Sequence, residues 1–392
     1  MGLAGIIAEY DPFHSGHAWQ IQQAKQQGAQ AVAVCMSQDL TQRGGAALLP
    51  PHVRVRAALA AGADLVIGLP NPCAVQSAEG FAAAGVAALS ALPQLKWLVF
   101  GAESPNTDEI WNTAQALRSA AFGEEVRRWL GTGMSFAAAR AAAAKEVYPP
   151  AEKILASPNN NLGVEYCKAI AALGSHLKPF PIQRTGAAHG QQTPGENGFA
   201  SASFLRSLWT EDGAQSAAEY VPKEALELYQ KAEKEGLAQD RGAFDIAVLS
   251  RLRAMTVEQI ARTRGTSEGL EHRLAKEVRR AGSLQQLYDG MKTKRYAHAR
   301  IRRYALCAAL GYTDDLSQIP PYLHILGANQ KGLALLKGAK LPADTSLAAL
   351  EKRGGELARM AQAHAAGADL AALCRTNPGR MGESYTQKPI IL

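Results

Sequence analysis

The chain has 392 residues, 47% of them hydrophobic and 20% charged, with a net charge of +7. That length carries two or so folded domains with a sizeable core. No apolar run reaches the ~18 residues of a spanning helix, and the first residues lack a basic region and a small-residue cleavage site, so a cytoplasmic location is expected. Five scattered cysteines without Cys-x-x-Cys spacing point away from a disulfide framework or a zinc site. They read as small buried hydrophobes, and no resident metal set is expected.

In chain order, apolar runs at 2–8, 30–36, 63–69 and 96–101 alternate with helical stretches at 18–27, 53–61 and 78–92. This is the pattern of an α/β fold with a Rossmann-like, doubly wound parallel sheet. Ligands of such sheets sit beyond the carboxyl ends of the strands, which here are 10–17, 37–43, 70–77 and 101–104. Residues 107–150 read as an alanine-rich helical insertion, and 157–163 as a turn and N-cap leading into a helix over 164–173. A short strand is expected at 179–184, and 186–198 has the glycines of a loop suited to a lid. From Ser201 onward the pattern is mainly helical. It divides the chain into a catalytic domain at 1–221 and a helical domain with its tail at 222–392, whose last residues add an extended edge or pack back on the core.

His14-Ser15-Gly16-His17 follows the first strand and opens the first helix. Strand, proline turn, two histidines around a glycine and then a helix is the order by which one superfamily of nucleotidyltransferases holds ATP phosphates. The helix N-terminus offers unpaired N–H groups to anions, and the imidazoles donate to charge that builds as the α-phosphate is attacked. An incidental pair of surface histidines is the bland alternative, and the surrounding strand and helix argue against it.

The charge is concentrated. Between Glu271 and Arg303 lie ten basic and three acidic residues, an excess equal to that of the whole chain. Lys292, Lys294, Arg295, Arg300, Arg302 and Arg303, interleaved with Tyr296, His298 and Tyr304, suit phosphate contacts with base stacking. A solvated helix face is the alternative, and the local imbalance favours a polynucleotide partner.

Glu9-Tyr-Asp-Pro-Phe-His-Ser-Gly-His17, Met36-Ser-Gln-Asp-Leu-Thr-Gln-Arg-Gly44, Asp64-Leu-Val-Ile-Gly-Leu-Pro70, Phe100-Gly-Ala-Glu-Ser104, Ser157-Pro-Asn-Asn160, Ser267-Glu-Gly-Leu-Glu271 and Lys292-Thr-Lys-Arg-Tyr296 occur in succession. Over about residues 2–335 this series resembles the bacterial tRNA(Met) cytidine acetate ligase family. The resemblance implies activation of acetate with ATP, accompanied by Mg²⁺, to acetyl-adenylate. The acetyl group then passes to N4 of the wobble cytidine of elongator tRNA(Met). It also implies an ATP site built from Ile7, Ala8, Glu9, Tyr10, His14, Gly16 and His17, with Gly101, Asn159 and Arg184. Ser201, Ser203 and Arg206 resemble the superfamily's second phosphate-holding signature. Asp11, Ser15 and Gln38-Asp39 depart from the family's usual residues, and the two aspartates add negative charge near the triphosphate unless Mg²⁺ or a basic neighbour offsets it.

The expected mechanism is a two-step ligation. Acetate near 37–43, with Arg43 as its carboxylate partner, attacks the α-phosphate while His14 and His17 stabilise the developing charge. The cytidine amine, splayed out of the anticodon stack, then attacks the mixed anhydride. Two rivals stay open: a small-molecule adenylyltransferase, which has no need of the basic helices, and a non-catalytic RNA-binding protein, against which the intact histidine motif argues.

Overall fold

Leu3–Ala8 (β1) and Val32–Ser37 (β2) are almost wholly apolar and buried, as strands covered on both faces must be. The computed structural model describes residues 2–184, 199–267, 269–293 and 296–392. Between β1 and β2 lies Ser15–Gln26 (α1), followed by Pro51–Ala60 (α2), Leu65–Leu69 (β3), the short turn Asn71–Ala74 (α3), Ala78–Ser90 (α4) and Leu95–Ala102 (β4). The expected 107–150 insertion is Thr107–Arg118 (α5), Ala120–Gly131 (α6) and Phe136–Val147 (α7). Then come Ala151–Ala156 (α8), Pro158–Ala172 (α9) and Lys178–Gln183 (β5). Both α1 and α9 begin earlier than their apolar periodicity suggests. His14 caps α1 with its own side chain, and Pro158 occupies the first turn of α9, where a missing N–H costs nothing. The expected lid at 186–198 lies outside the described residues.

The second half contributes Ala202–Asp212 (α10), Lys223–Lys234 (α11), Arg241–Arg253 (α12), Val257–Ala261 (α13), Leu270–Glu277 (α14), Leu284–Met291 (α15) and His298–Leu310 (α16). The chain then returns to the sheet with Leu323–Ala328 (β6), Gln330–Ala334 (α17), Ala343–Asp344 (β7), Leu347–Lys352 (α18), Gly355–Leu373 (α19), Glu383–Thr386 (α20) and Ile390–Ile391 (β8).

The sheet order is β5-β4-β1-β2-β3-β6-β7, with β8 also on β6. Pairing is parallel except between β3 and β6, which run antiparallel. The sheet is therefore mixed and mostly parallel rather than wholly parallel, and its β6 strand comes from the half expected to be a separate helical domain. Nor do the helices divide at 221/222. Ala225, Tyr229 and Ala232 of α11 belong to the same apolar cluster as Ile6, Ile21 and Val34, and the Tyr229 hydroxyl donates to the Phe13 carbonyl at 2.6 Å. A separate core begins only with α12–α16, around Leu252, Leu274, Met291, Ile301 and Tyr304. The tail does pack back, as β8.

One buried cation ties the carboxyl ends of the first two strands together. Arg54, on α2, is fully enclosed and donates to the carbonyls of Leu49 (2.9 Å), Glu9 (2.6 Å), Ser37 (3.0 Å) and Gln38. Four carbonyl partners are what make so deeply buried a guanidinium tolerable.

Candidate active site

Beyond the carboxyl ends of β1 and β4 opens a cleft enclosing about 1710 Å³, open solvent included. Ile7, Ala8, Glu9, Tyr10, His14, Gly16 and His17 line it, together with Arg43, Gly101, Asn159, Arg184, Ser201, Ser203 and Arg206. The structure thus brings together the residues expected at the nucleotide site, and Arg43 with them. Tyr10 holds a left-handed backbone (φ 51°), rare outside glycine, as the chain turns from β1 towards α1.

The two histidines form a stacked pair, ring centroids 3.7 Å apart. His14 Nδ1 accepts from the Gly16 N–H (3.1 Å) and His17 Nδ1 accepts from the His14 N–H (3.3 Å), a reciprocal cap of α1. With both Nδ1 lone pairs engaged, each neutral ring carries its proton on Nε2. Burial, with Arg184 and Arg206 nearby, lowers the His14 pKa to about 3, and burial with His14 and Arg184 holds His17 well below its usual value. The pair is therefore two neutral N–H donors at a helix N-terminus, the arrangement suited to negative charge arising on a phosphate. A Cβ on Gly16 would stand 3.0 Å from the His14 ring, a tight contact that a side chain there could make only if the ring shifted.

Three arginines supply the positive charge: Arg43, Arg184 and Arg206. Arg184 donates from Nη1 to Asn159 Oδ1 (3.1 Å), while Asn159 Nδ2 donates to Glu103 Oε1 (2.5 Å). Glu103 also accepts the N–H groups of Asn159 (3.3 Å) and Asn160 (3.0 Å) in the first turn of α9. It is a positioning residue that sequence reasoning gave no role, although it stands within the Phe100–Ser104 block just after β4. A Cβ on Gly101 would meet nothing within 4 Å, so the backbone there faces open space. Ser201 caps α10, accepting from the Phe204 N–H at 3.2 Å, and its hydroxyl lies 3.0 Å from that of Ser203. Phe81, Phe100, Leu162 and Tyr166 form an apolar wall that was also not anticipated.

The two aspartates that depart from the family's usual residues are neutralised or absent from the cleft. Asp11 lines it but pairs with Arg206 (3.2 Å) and accepts the Leu48 N–H (2.7 Å). Asp39 points elsewhere, accepting from Asn71 Nδ2 (3.2 Å) and standing 3.9 Å from His364 in a second cavity lined by His324 and Arg375. Of the stretch 37–43 expected at the cleft, Gln42 and Arg43 reach it; Gln38 instead lies against Gly68.

The basic stretch needs a larger correction. Tyr296 and Tyr304 are 6% and 3% exposed and belong to the core of α12–α16, with Tyr304 hydroxyl bonded to Thr266 (3.1 Å), so neither is presented for base stacking. Arg303 turns inward and donates to the Gln42 carbonyl (3.4 Å), and Arg302 lies over the Tyr288 ring. Lys292 and Arg300 are exposed, as are Arg279 and Arg280. Lys294 and Arg295 lie outside the described residues. All five cysteines are buried, as expected.

A family model described as HIGH Nucleotidyl Transferase matches residues 1–378. The tRNA(Met) cytidine acetate ligase of Acetivibrio thermocellus is 32% identical over 420 residues, with both chains fully covered. That of Latilactobacillus sakei is 35% identical, covering 90% of this chain and 92% of its own. The crystal structure of Thermotoga maritima TmcAL bound with alpha-thio ATP superposes with a TM-score of 0.90 at 26% identity over the whole of both chains. A HIGH-type sheet and helix motif, carried through the entire length of these relatives, places this chain in the tRNA(Met) cytidine acetate ligase family of HIGH nucleotidyltransferases.

Proposed function

We propose that this chain is an ATP-dependent ligase that activates acetate as acetyl-adenylate and acetylates N4 of the wobble cytidine of elongator tRNA(Met). The observation that carries the reading is the convergence of two neutral imidazole N–H donors and three arginines on one cleft at the carboxyl ends of β1 and β4. ATP lies with its phosphates at the start of α1 and its adenosine towards Gly101 and Asn159. Mg²⁺ enters as part of the substrate, coordinated by phosphate oxygens.

An acetate oxygen attacks the α-phosphorus, its carboxylate steered by Arg43. The α-phosphate oxygens gain charge, the Nε2–H groups of His14 and His17 donate to them, and pyrophosphate departs along Arg184 and Arg206. The cytidine amine then displaces AMP from the acetyl group. Helices α12–α16 form the surface for tRNA, with Arg279, Arg280, Lys292 and Arg300 among its exposed cations. Among the described residues no helix is long and apolar enough to cross a membrane.

The deciding experiment is ATP–pyrophosphate exchange with acetate and other small acids, with and without tRNA. Acetate-dependent exchange followed by acetyl transfer to tRNA(Met) supports the ligase. Exchange driven by a phosphorylated small molecule instead would make the chain a small-molecule adenylyltransferase.

A further inference from the structure

The acyl-transfer half of the reaction needs a group that the histidine motif does not supply. The lone pair of cytidine N4 is delocalised into the ring, so its attack on a carbonyl requires removal of a proton as the bond forms. His14 and His17 cannot take it: each Nδ1 lone pair already accepts a backbone N–H, which leaves only N–H donors facing the cleft.

Among the described residues lining the cleft there are two carboxylates, Glu9 and Asp11. Asp11 is fully engaged, one oxygen on the Leu48 N–H and the other on Arg206. Glu9 stands at the end of β1. Its Oε1 accepts the Gln42 N–H at 2.6 Å, and the side chain lines the cleft. The two phenols there, Tyr10 and Tyr166, are held protonated by burial. We propose that Glu9 is the general base of acetyl transfer, taking the N4 proton as the amine attacks the acetyl-adenylate.

The step balances without a further reactant. N4 of cytidine bonds to the acetyl carbon, the bond from that carbon to the phosphate oxygen breaks, AMP leaves with the electron pair, and the amine proton passes to the Glu9 carboxylate. The neighbourhood suits a base. Burial and Asp11 raise the Glu9 pKa, against the Gln42 N–H, Arg43 and Arg206, which lower it; Arg54 and Tyr166 are the other titratable groups whose fields reach it. A raised carboxyl is a stronger proton acceptor than an ordinary one, yet remains ionised above its own pKa.

This inference rests on the ligase reading, and the test separates the two. Chemically prepared acetyl-adenylate is given to the full-length protein with tRNA(Met), and acetylcytidine formation is followed in single turnovers across pH 5–9. The wild-type rate should rise with pH through a single ionisation and level off. Glu9→Gln should lose about 100-fold or more at the plateau and lose that ionisation, while Glu9→Asp should recover part of the rate with the ionisation intact. No transfer by the wild type would overturn the ligase reading. Wild-type transfer with Glu9→Gln keeping either its rate or its pH profile would overturn the base assignment, since a merely structural role scales the rate and leaves the profile unmoved.

Discussion

Arg303, on the basic helix α16, donates to the carbonyl of Gln42, on the loop that carries Arg43 into the cleft. The two segments are pressed together by Gly44, whose missing Cβ would stand 2.7 Å from the Arg303 nitrogen and whose φ of +82° no ordinary side chain favours. The helical core and the adenylating sheet thus meet at a loop that also donates from Gln42 N–H to Glu9.

Gly44→Ala should therefore cost stability on the order of 1–2 kcal/mol through its left-handed backbone and the filled space. It should also raise the apparent KM for acetate, because Arg43 moves with the loop. Thermal melting and acetate-dependent pyrophosphate exchange check both; an unchanged KM would separate Arg43 from acetate binding.

His17→Ala removes a donor from the charge-accepting pair. The loss of one such donor typically costs about 3 kcal/mol, roughly 100-fold in kcat, so exchange should fall by that factor or more while tRNA binding persists. Equal exchange rates in variant and wild type would take His17 out of the mechanism.

Stability should fall as the solution is acidified. His14, His324 and His364 are buried with their pKa lowered to about 3, each chiefly by burial, so the folded protein holds them neutral while the unfolded chain binds protons below about 6.5. In the window between about 6.5 and 3 the unfolded state carries the extra protons, and each histidine contributes up to about 1.4 kcal/mol per pH unit of lost stability. Melting temperatures from pH 7 to 4 should show the decline, and His364→Gln should flatten it. A variant as acid-sensitive as the wild type would show that His364 is not part of the effect.

Arg279, Arg280, Lys292 and Arg300 are among the cations exposed on the helical core. Replacing all four with alanine should weaken tRNA binding, and every phosphate that goes unneutralised should flatten the slope of log affinity against log salt by about 0.7–0.9. Acetate-dependent exchange should continue. If affinity and slope both survive, this face is merely solvated and tRNA docks elsewhere.

The candidate site was legible in the sequence because its central motif is local. A buried strand, a proline turn, His14-Ser15-Gly16-His17 and a helix are adjacent in the chain, and parallel strands covered on both faces announce themselves as apolar runs such as 30–36. Arg184 and Ser201, further along, were placed by motif rather than by periodicity, and both line the cleft. What the tertiary structure decided is everything that depends on partners far apart in sequence. Leu323–Ala328 has no neighbour in the chain to mark it as a strand; it becomes one by pairing with β3 more than 250 residues earlier. Tyr296 and Tyr304 sit among arginines in the sequence and looked available for stacking, but hydrophobic burial against α12–α15 claims them. Asp39 and Asp11 read alike as stray negative charges, and only packing distinguishes them, turning one towards Asn71 and giving the other Arg206. Local pattern fixes which segments can be strands and helices, whereas burial and ion pairing across long separations fix which face of each residue meets the substrate.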